Sequence, residues 1–275
     1  LDIHRPSEFS AMNFMDDSSK WSFRRSKESD HFIVFWAKEF GDNPNAASVP
    51  SALRVDIDDL LEKAEQFYDT NVNRLKMVVT EKGASYLDRY KMEIFLLYQT
   101  EWLATGSGYD NKIGALWVNP STCKPVGSTI AHEIGHSFQY QTYCDNVLRG
   151  RPDNMRTGFR YGLVGSNGGN AFWEQCAQWQ SYQDYPEQAL GNYHFNVWMA
   201  NHHRHFEHEW QRYASYYFHY YMAERNGMDA LGRIWNESIY PEDALQAYIR
   251  LFCGGDYGKA KEQFFEYARQ AATFD

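Results

Sequence analysis

Residues 131–138 read Ala-His-Glu-Ile-Gly-His-Ser-Phe, and the spacing His132-Glu133-x-x-His136 constrains this chain more than any other stretch. It makes chemical sense only on an α-helix. There residues i and i+4 share a face, so both imidazoles can aim at one tetrahedral metal ion while Glu133 points to the side where a water would sit. A helix over 128–148 is therefore the first expectation, and a catalytic metal site the second.

Such a site needs a third protein ligand and one open position. Glu174, in Trp173-Glu174-Gln175-Cys176, is the candidate, on a separate helix with Trp173 and Trp179 beside it. A carboxylate among aromatic side chains is costly to bury alone, whereas a divalent cation neutralises it; a partnered core acid is the competing reading. One helical turn later, Gln178 is placed to accept the N–H of a ligand imidazole and so fix its tautomer, unless it is simply an exposed helix residue.

Charge excludes several functions. The 275 residues carry 27 Lys and Arg against 36 Asp and Glu, a net charge of −9, so there is no cationic surplus for a phosphate backbone. The one basic stretch, 21–27, is followed at once by Glu28 and Asp30. The apolar runs 32–37 and 94–98 fall far short of the roughly 20 residues that cross a bilayer. No nucleic acid and no transmembrane segment are expected. Aromatic residues make up 17% of the chain, with 20 Tyr and 9 Trp, enough to build a core and stacking surfaces for peptide or sugar. Cys123, Cys144, Cys176 and Cys253 are too scattered for a disulfide framework or a zinc ribbon. Cys144 and Cys176 read as packing residues, or as a bridge in an exported protein. The chain opens on Leu1, which suggests a signal peptide already removed.

Along the chain, residues 1–20 read as an extended arm with little structure, and 21–275 as a single catalytic domain with an N-terminal lobe to about 145 and a C-terminal lobe over about 146–275. Strands are expected at 30–37, 77–80, 91–99 and 115–118, a helix over 53–75, and a loop at 105–108. From 128 onward the pattern is helical, in pieces at 128–148, 170–182, about 192–226, 229–238, 241–251 and 257–271. Asp56, Asp58 and Asp59 read as a solvated helix start, where the dipole favours acids. The glycines of Asn167-Gly168-Gly169-Asn170 either admit a substrate backbone or supply positive φ before a helix capped by Asn170.

Hydrolysis at such a site wants a donor for the developing oxyanion. The stretch 202–213 holds the candidates, Tyr213 first and His205 second, with Tyr161 a further one. His205, His208 and Glu209 lie within about one turn of each other, but a polar helix face accounts for them better than a second metal site.

With HExxH on one helix and a Glu on the next, the chain resembles the gluzincin class of zinc metallopeptidases. That resemblance implies His132, His136 and Glu174 as Zn²⁺ ligands and Glu133 as general base. It also implies an α+β, zincin-like fold: a small mixed sheet plus helices in the N-terminal lobe, a mainly helical C-terminal lobe, and zinc in the cleft between them. Strand 115–118 stands in the place of the edge strand that pairs with extended substrate. Gln178 departs from the Asp that many gluzincins carry there. The runs 113–120, 127–139, 167–180 and 205–217 are further similar to a family of secreted gut-bacterial proteins of unassigned function, regarded as zinc metallopeptidases, which implies export to the cell envelope or beyond. The expected activity is zinc-dependent hydrolysis of amide bonds in a peptide, protein or glycoprotein, with cell-wall or mucin amides not separable from these. The alternative is a non-catalytic peptide- or glycan-binding protein that retains a structural zinc.

Overall fold

Phe32-Ile-Val-Phe-Trp36 and Met92-Glu-Ile-Phe-Leu96 are buried at every position, as strands are when both faces of their sheet are covered. In the computed structural model, which describes residues 1–151, 170–239 and 241–273, these runs are β2 (Phe32–Trp36) and β3 (Met92–Leu96). With β1 (Ser26–Glu28), β4 (Ala104–Tyr109) and β5 (Ile113–Val118) they form one mixed sheet in the order β1-β2-β3-β5-β4. β2, β3 and β5 are parallel, and β1 and β4 are antiparallel at the two edges.

Two expectations are corrected here. Residues 105–108 are not a loop but the middle of β4, because cross-strand pairing from Ala104↔Val118 to Tyr109↔Ile113 overrides the weak strand preference of Gly and Ser. Strand 115–118, expected at the edge, lies within β5 and has β3 on one side and β4 on the other. The edge role passes to β4.

The chain divides into two compact units, residues 1–73 with 78–149 and residues 74–77 with 150–275. In the first unit, one sheet face carries Phe35, Phe95 and Trp117 side by side across β2, β3 and β5. The N-terminal arm covers this ladder: Phe9 lies 5.9 Å and Trp21 5.0 Å from Phe95, and Phe14 lies 5.5 Å from Phe35. His4 Nε2 and the Ser7 backbone N–H, each 2.7 Å from Asp110 Oδ2, tie the arm to the β4–β5 turn. The arm is thus packed rather than loose, since Phe9 and Phe14 are buried against this aromatic ladder. The other face packs against α1 (Ile57–Asp69) and α2 (Ser128–Leu148). α1 starts later than the expected 53 because Asp56 caps it, accepting the N–H groups of Asp58 and Asp59. No strand forms at 77–80. Lys76 takes φ 52°, which turns the chain, and the Met77 carbonyl accepts the Asn236 side-chain amide at 2.8 Å.

The second unit is helical, with α3 (Asn170–Tyr182), α4 (Tyr193–Asn201), α5 (Tyr217–Asn226), α6 (Ala230–Glu237), α7 (Ala244–Cys253) and α8 (Tyr257–Thr273). The stretch at 192–226 is two helices, not one, separated by turns in which Arg204, His208 and Gln211 donate their backbone N–H groups to residues three earlier. Phe218 centres its core, 5.0 Å from both Phe206 and Phe264. His219 is fully buried, and burial pushes its pKa down to about 3, so the ring is neutral. All four cysteines are buried and none is in a disulfide, which resolves them as packing residues; the Cys176 sulfur accepts the Trp235 indole N–H at 3.3 Å. No helix among the described residues is long and apolar enough to cross a membrane.

One core residue strains against its site. Glu93 points into the arm-covered face, fully buried, and neither carboxylate oxygen has a hydrogen-bond partner among the described residues. Burial, then the nearby Asp110 charge, raises its pKa well above the usual carboxylate range. A raised folded-state value means that the penalty is absent below the unfolded pKa of about 4.5, grows as pH rises above it and levels off only once pH passes the folded value. Glu93→Met is expected to raise the melting temperature at pH 7 by about 3 °C or more, with the gain shrinking toward pH 4 in circular-dichroism melts. An equal gain at both pH values would show that the carboxyl charge is not the cause.

Candidate metal centre

α2 is buried nearly all round, and its polar side chains bolt it to the β4–β5 hairpin. The Gly114 backbone N–H donates to Gln141 Oε1 at 2.9 Å, and Gln141 Nε2 donates to the Lys112 carbonyl at 2.9 Å. Four residues earlier, Ser137 Oγ lies 2.9 Å from the Ala115 carbonyl and 3.0 Å from that of Glu133. These contacts fix the rotation of the helix about its axis. β4 also crosses directly over the motif: a Cβ on Gly106 would fall 2.0 Å from the Glu133 carbonyl oxygen and 2.9 Å from His136 Cβ. Only a glycine lets strand and helix approach so closely.

His132 and His136 are both buried, with ring centroids 4.6 Å apart and planes at 87°. His136 Nδ1 lies 3.0 Å from Gln139 Oε1. An amide oxygen only accepts, so Nδ1 carries the hydrogen in this contact, the tautomer in which Nε2 is the nitrogen able to bind a metal. The side-chain N–H of Gln178, whose amide oxygen is expected in this role, donates to the Tyr182 hydroxyl at 3.1 Å, and the Gln139 contact was not foreseen. The i+3 spacing of Gln139 from His136 on one helix was the signal available for finding it. Glu133 is buried beside the histidines, and its carboxylate enters no hydrogen bond or ion pair among the described residues.

Glu174 lies in the first turns of α3, half-buried between buried Trp173 and Gln175. The Tyr213 hydroxyl donates to its Oε1 at 3.0 Å. Burial, then the Glu174 charge, pushes the pKa of Tyr213 up, which keeps the phenol a donor. Tyr213, expected as an oxyanion donor, is therefore engaged with the carboxylate. His205 is exposed, and its Nδ1 accepts the Glu207 backbone N–H at 3.2 Å. It borders an apolar groove of about 660 Å³ that includes Trp198, Phe206 and Phe264 but neither Glu174 nor Tyr213. Tyr161 and the glycine loop at 167–169 lie outside the described residues, and α3 begins at Asn170.

His132, His136 and Glu174 each offer one ligand atom, and these atoms lie within 4.8 Å of one another. Among the described residues no other group of three His, Cys, Asp or Glu does so, which leaves His205, His208 and Glu209 as a polar segment. Two imidazole nitrogens and a carboxylate oxygen fit a divalent transition-metal ion such as zinc, whereas calcium or magnesium would call for an all-oxygen shell.

Fold and site together define a mixed α+β protein with a His-His-Glu group able to hold a metal ion. The family model described as "Family of unknown function (DUF6055)" matches residues 1–275, and the chain belongs to that family. No curated protein and no solved structure matches it.

Gly106→Ala tests the close crossing of strand and helix. The methyl group meets backbone rather than a flexible side chain, so a loss of about 3 kcal/mol or more is expected, together with weakened metal binding. Chemical denaturation and a zinc titration read the two effects; a variant as stable as the parent would show that the strand can shift freely.

Proposed function

We propose that the protein is a gluzincin-type, zincin-like metallopeptidase that hydrolyses peptide or glycopeptide amide bonds with Zn²⁺ as its metal. One observation carries the reading: Glu133, a buried carboxylate with no hydrogen bond or ion pair among the described residues, lies on the HExxH helix beside a His-His-Glu donor set. His132 and His136 would hold the ion through imidazole nitrogens and Glu174 through a carboxylate oxygen. Bound there, zinc supplies Lewis acidity that acidifies water and polarises a carbonyl. Glu133 takes the proton of the attacking water and returns it to the leaving amine. Gln139 keeps His136 in the ligating tautomer.

β4 supports a peptide as substrate. The Asn119 N–H donates to the Leu103 carbonyl, so alternate residues from 103 onward bond to β5, and Ala104, Gly106 and Gly108 turn their backbone groups outward. An extended chain can add there as a further strand, above the helix that carries Glu133. An extracellular or envelope location rests on the family resemblance of the four sequence runs alone.

A second reading is favoured by exposed aromatics. Trp102, Tyr193 and Trp210 are solvent-facing, as in proteins that stack sugars or peptide side chains, and the metal would then be structural. Glycan- or peptide-array binding that survives both a chelator and Glu133→Gln would carry that reading.

Elemental analysis of the purified chain is expected to find about one zinc, strongly reduced in Glu174→Ala. Glu133→Gln should keep the zinc and lose about 10²–10⁴-fold in kcat/KM on a fluorescence-quenched peptide library. Retained turnover in that variant would remove the peptidase mechanism, and undiminished zinc in Glu174→Ala would remove the ligand set.

A further inference from the structure

Tyr213 is held more firmly than a hydroxyl waiting for substrate needs to be. The His194 ring stacks against its ring at 5.5 Å and 27°, and the Arg212 guanidinium lies 5.1 Å from the ring centroid. Arg212 Nη2 also reaches the Tyr213 oxygen at 3.4 Å, while Arg212 Nη1 is anchored to Glu209 at 3.1 Å. The phenol is thus clamped by an imidazole and a cation, with its one O–H committed to Glu174 Oε1.

We propose that Tyr213 is a positioning residue that confines Glu174 to one-oxygen metal ligation, and that His194 and Arg212 form the clamp that holds it. The inference rests on the metallopeptidase reading only through Glu174 as ligand. A carboxylate has two oxygens and swings freely about its last torsion, so an unrestrained Glu alternates between one- and two-oxygen binding. A hydrogen bond to Oε1 leaves Oε2 as the better donor and removes the rotational freedom that ligation would otherwise have to freeze. Arg212, donating to the phenol oxygen, polarises the O–H toward Glu174 and strengthens that bond. A ligand sphere limited in this way leaves room for water and substrate, which a two-oxygen Glu would crowd.

The test uses the full chain stripped of metal, in wild-type, Tyr213→Phe and Glu174→Ala forms. Zinc affinity is measured by competition with a chromophoric chelator, the coordination number by the cobalt(II) visible spectrum, and stability by the melting temperature of the metal-free protein. Phe keeps the ring between His194 and Arg212, so the metal-free melting temperature should stay within about 2 °C of wild type. Zinc affinity should fall by about 10-fold or more, and the cobalt absorption should weaken as the carboxylate becomes two-coordinate. Wild-type affinity and an unchanged cobalt spectrum in Tyr213→Phe, alongside loss of metal in Glu174→Ala, would overturn the clamp and leave the site standing. A melting temperature that drops with no change in the cobalt spectrum would make Tyr213 merely structural and overturn it too. If Glu174→Ala binds zinc like wild type, the ligand set itself falls, and the clamp with it.

Discussion

The contact of β4 on α2 is the constraint on which the first half of the candidate metal centre depends. Helical geometry brings His132 and His136 to one face, but it leaves open where that face points. Gly106 answers that by lying against the Glu133 carbonyl and His136 Cβ at a distance no side chain would permit. Gln141 and Ser137 repeat the answer in hydrogen bonds to Lys112, Gly114 and Ala115. Because close packing and bonded polar groups select the same helix rotation, the face that carries the imidazoles has a fixed direction.

Polar groups in this protein are buried on two different terms. On α2 nearly every one has a neighbour built for it: the Asp145 carboxylate accepts from the Tyr86 backbone N–H and Gln141, and the Thr142 hydroxyl donates to Gln139. Glu133 and Glu93 are the contrast, carboxyl groups with no such partner among the described residues. Glu133 adjoins a cluster of side chains able to hold a metal ion, where the proposed hydrolysis would use a carboxylate as its base. Glu93 lies beneath an aromatic arm, where it only costs stability. The same orphaned carboxylate is an asset or a burden according to what lies next to it.

Around Glu174 the logic is one of restraint. A half-buried acid on α3 receives the hydroxyl of Tyr213, whose ring is itself fixed by His194 and Arg212. Residues 174, 194, 212 and 213 come from α3, α4 and the segment before α5, so no local spacing announces their association. The sequence suggested Tyr213 for its chemistry as a donor. Its partner emerges only when those helices pack.

What the chain states in one dimension is whatever repeats within a helix turn or a strand. The HExxH helix, the buried runs of β2 and β3, the helical character after residue 128 and the shortage of cationic charge were all legible, because each depends on neighbours a few residues apart. Glu174 was legible as a candidate ligand by its setting among aromatics, and Gln139 would have been legible as a partner of His136 by its i+3 spacing. Tertiary structure alone decided the rest. It turned a Gly- and Ser-rich segment into an edge strand, moved 115–118 to the sheet interior and laid the arm over Phe95. It also matched Tyr213 to Glu174. Each of those outcomes is a contact between residues far apart in sequence, and its energy depends on shape and on satisfied hydrogen bonds that no single stretch of chain contains.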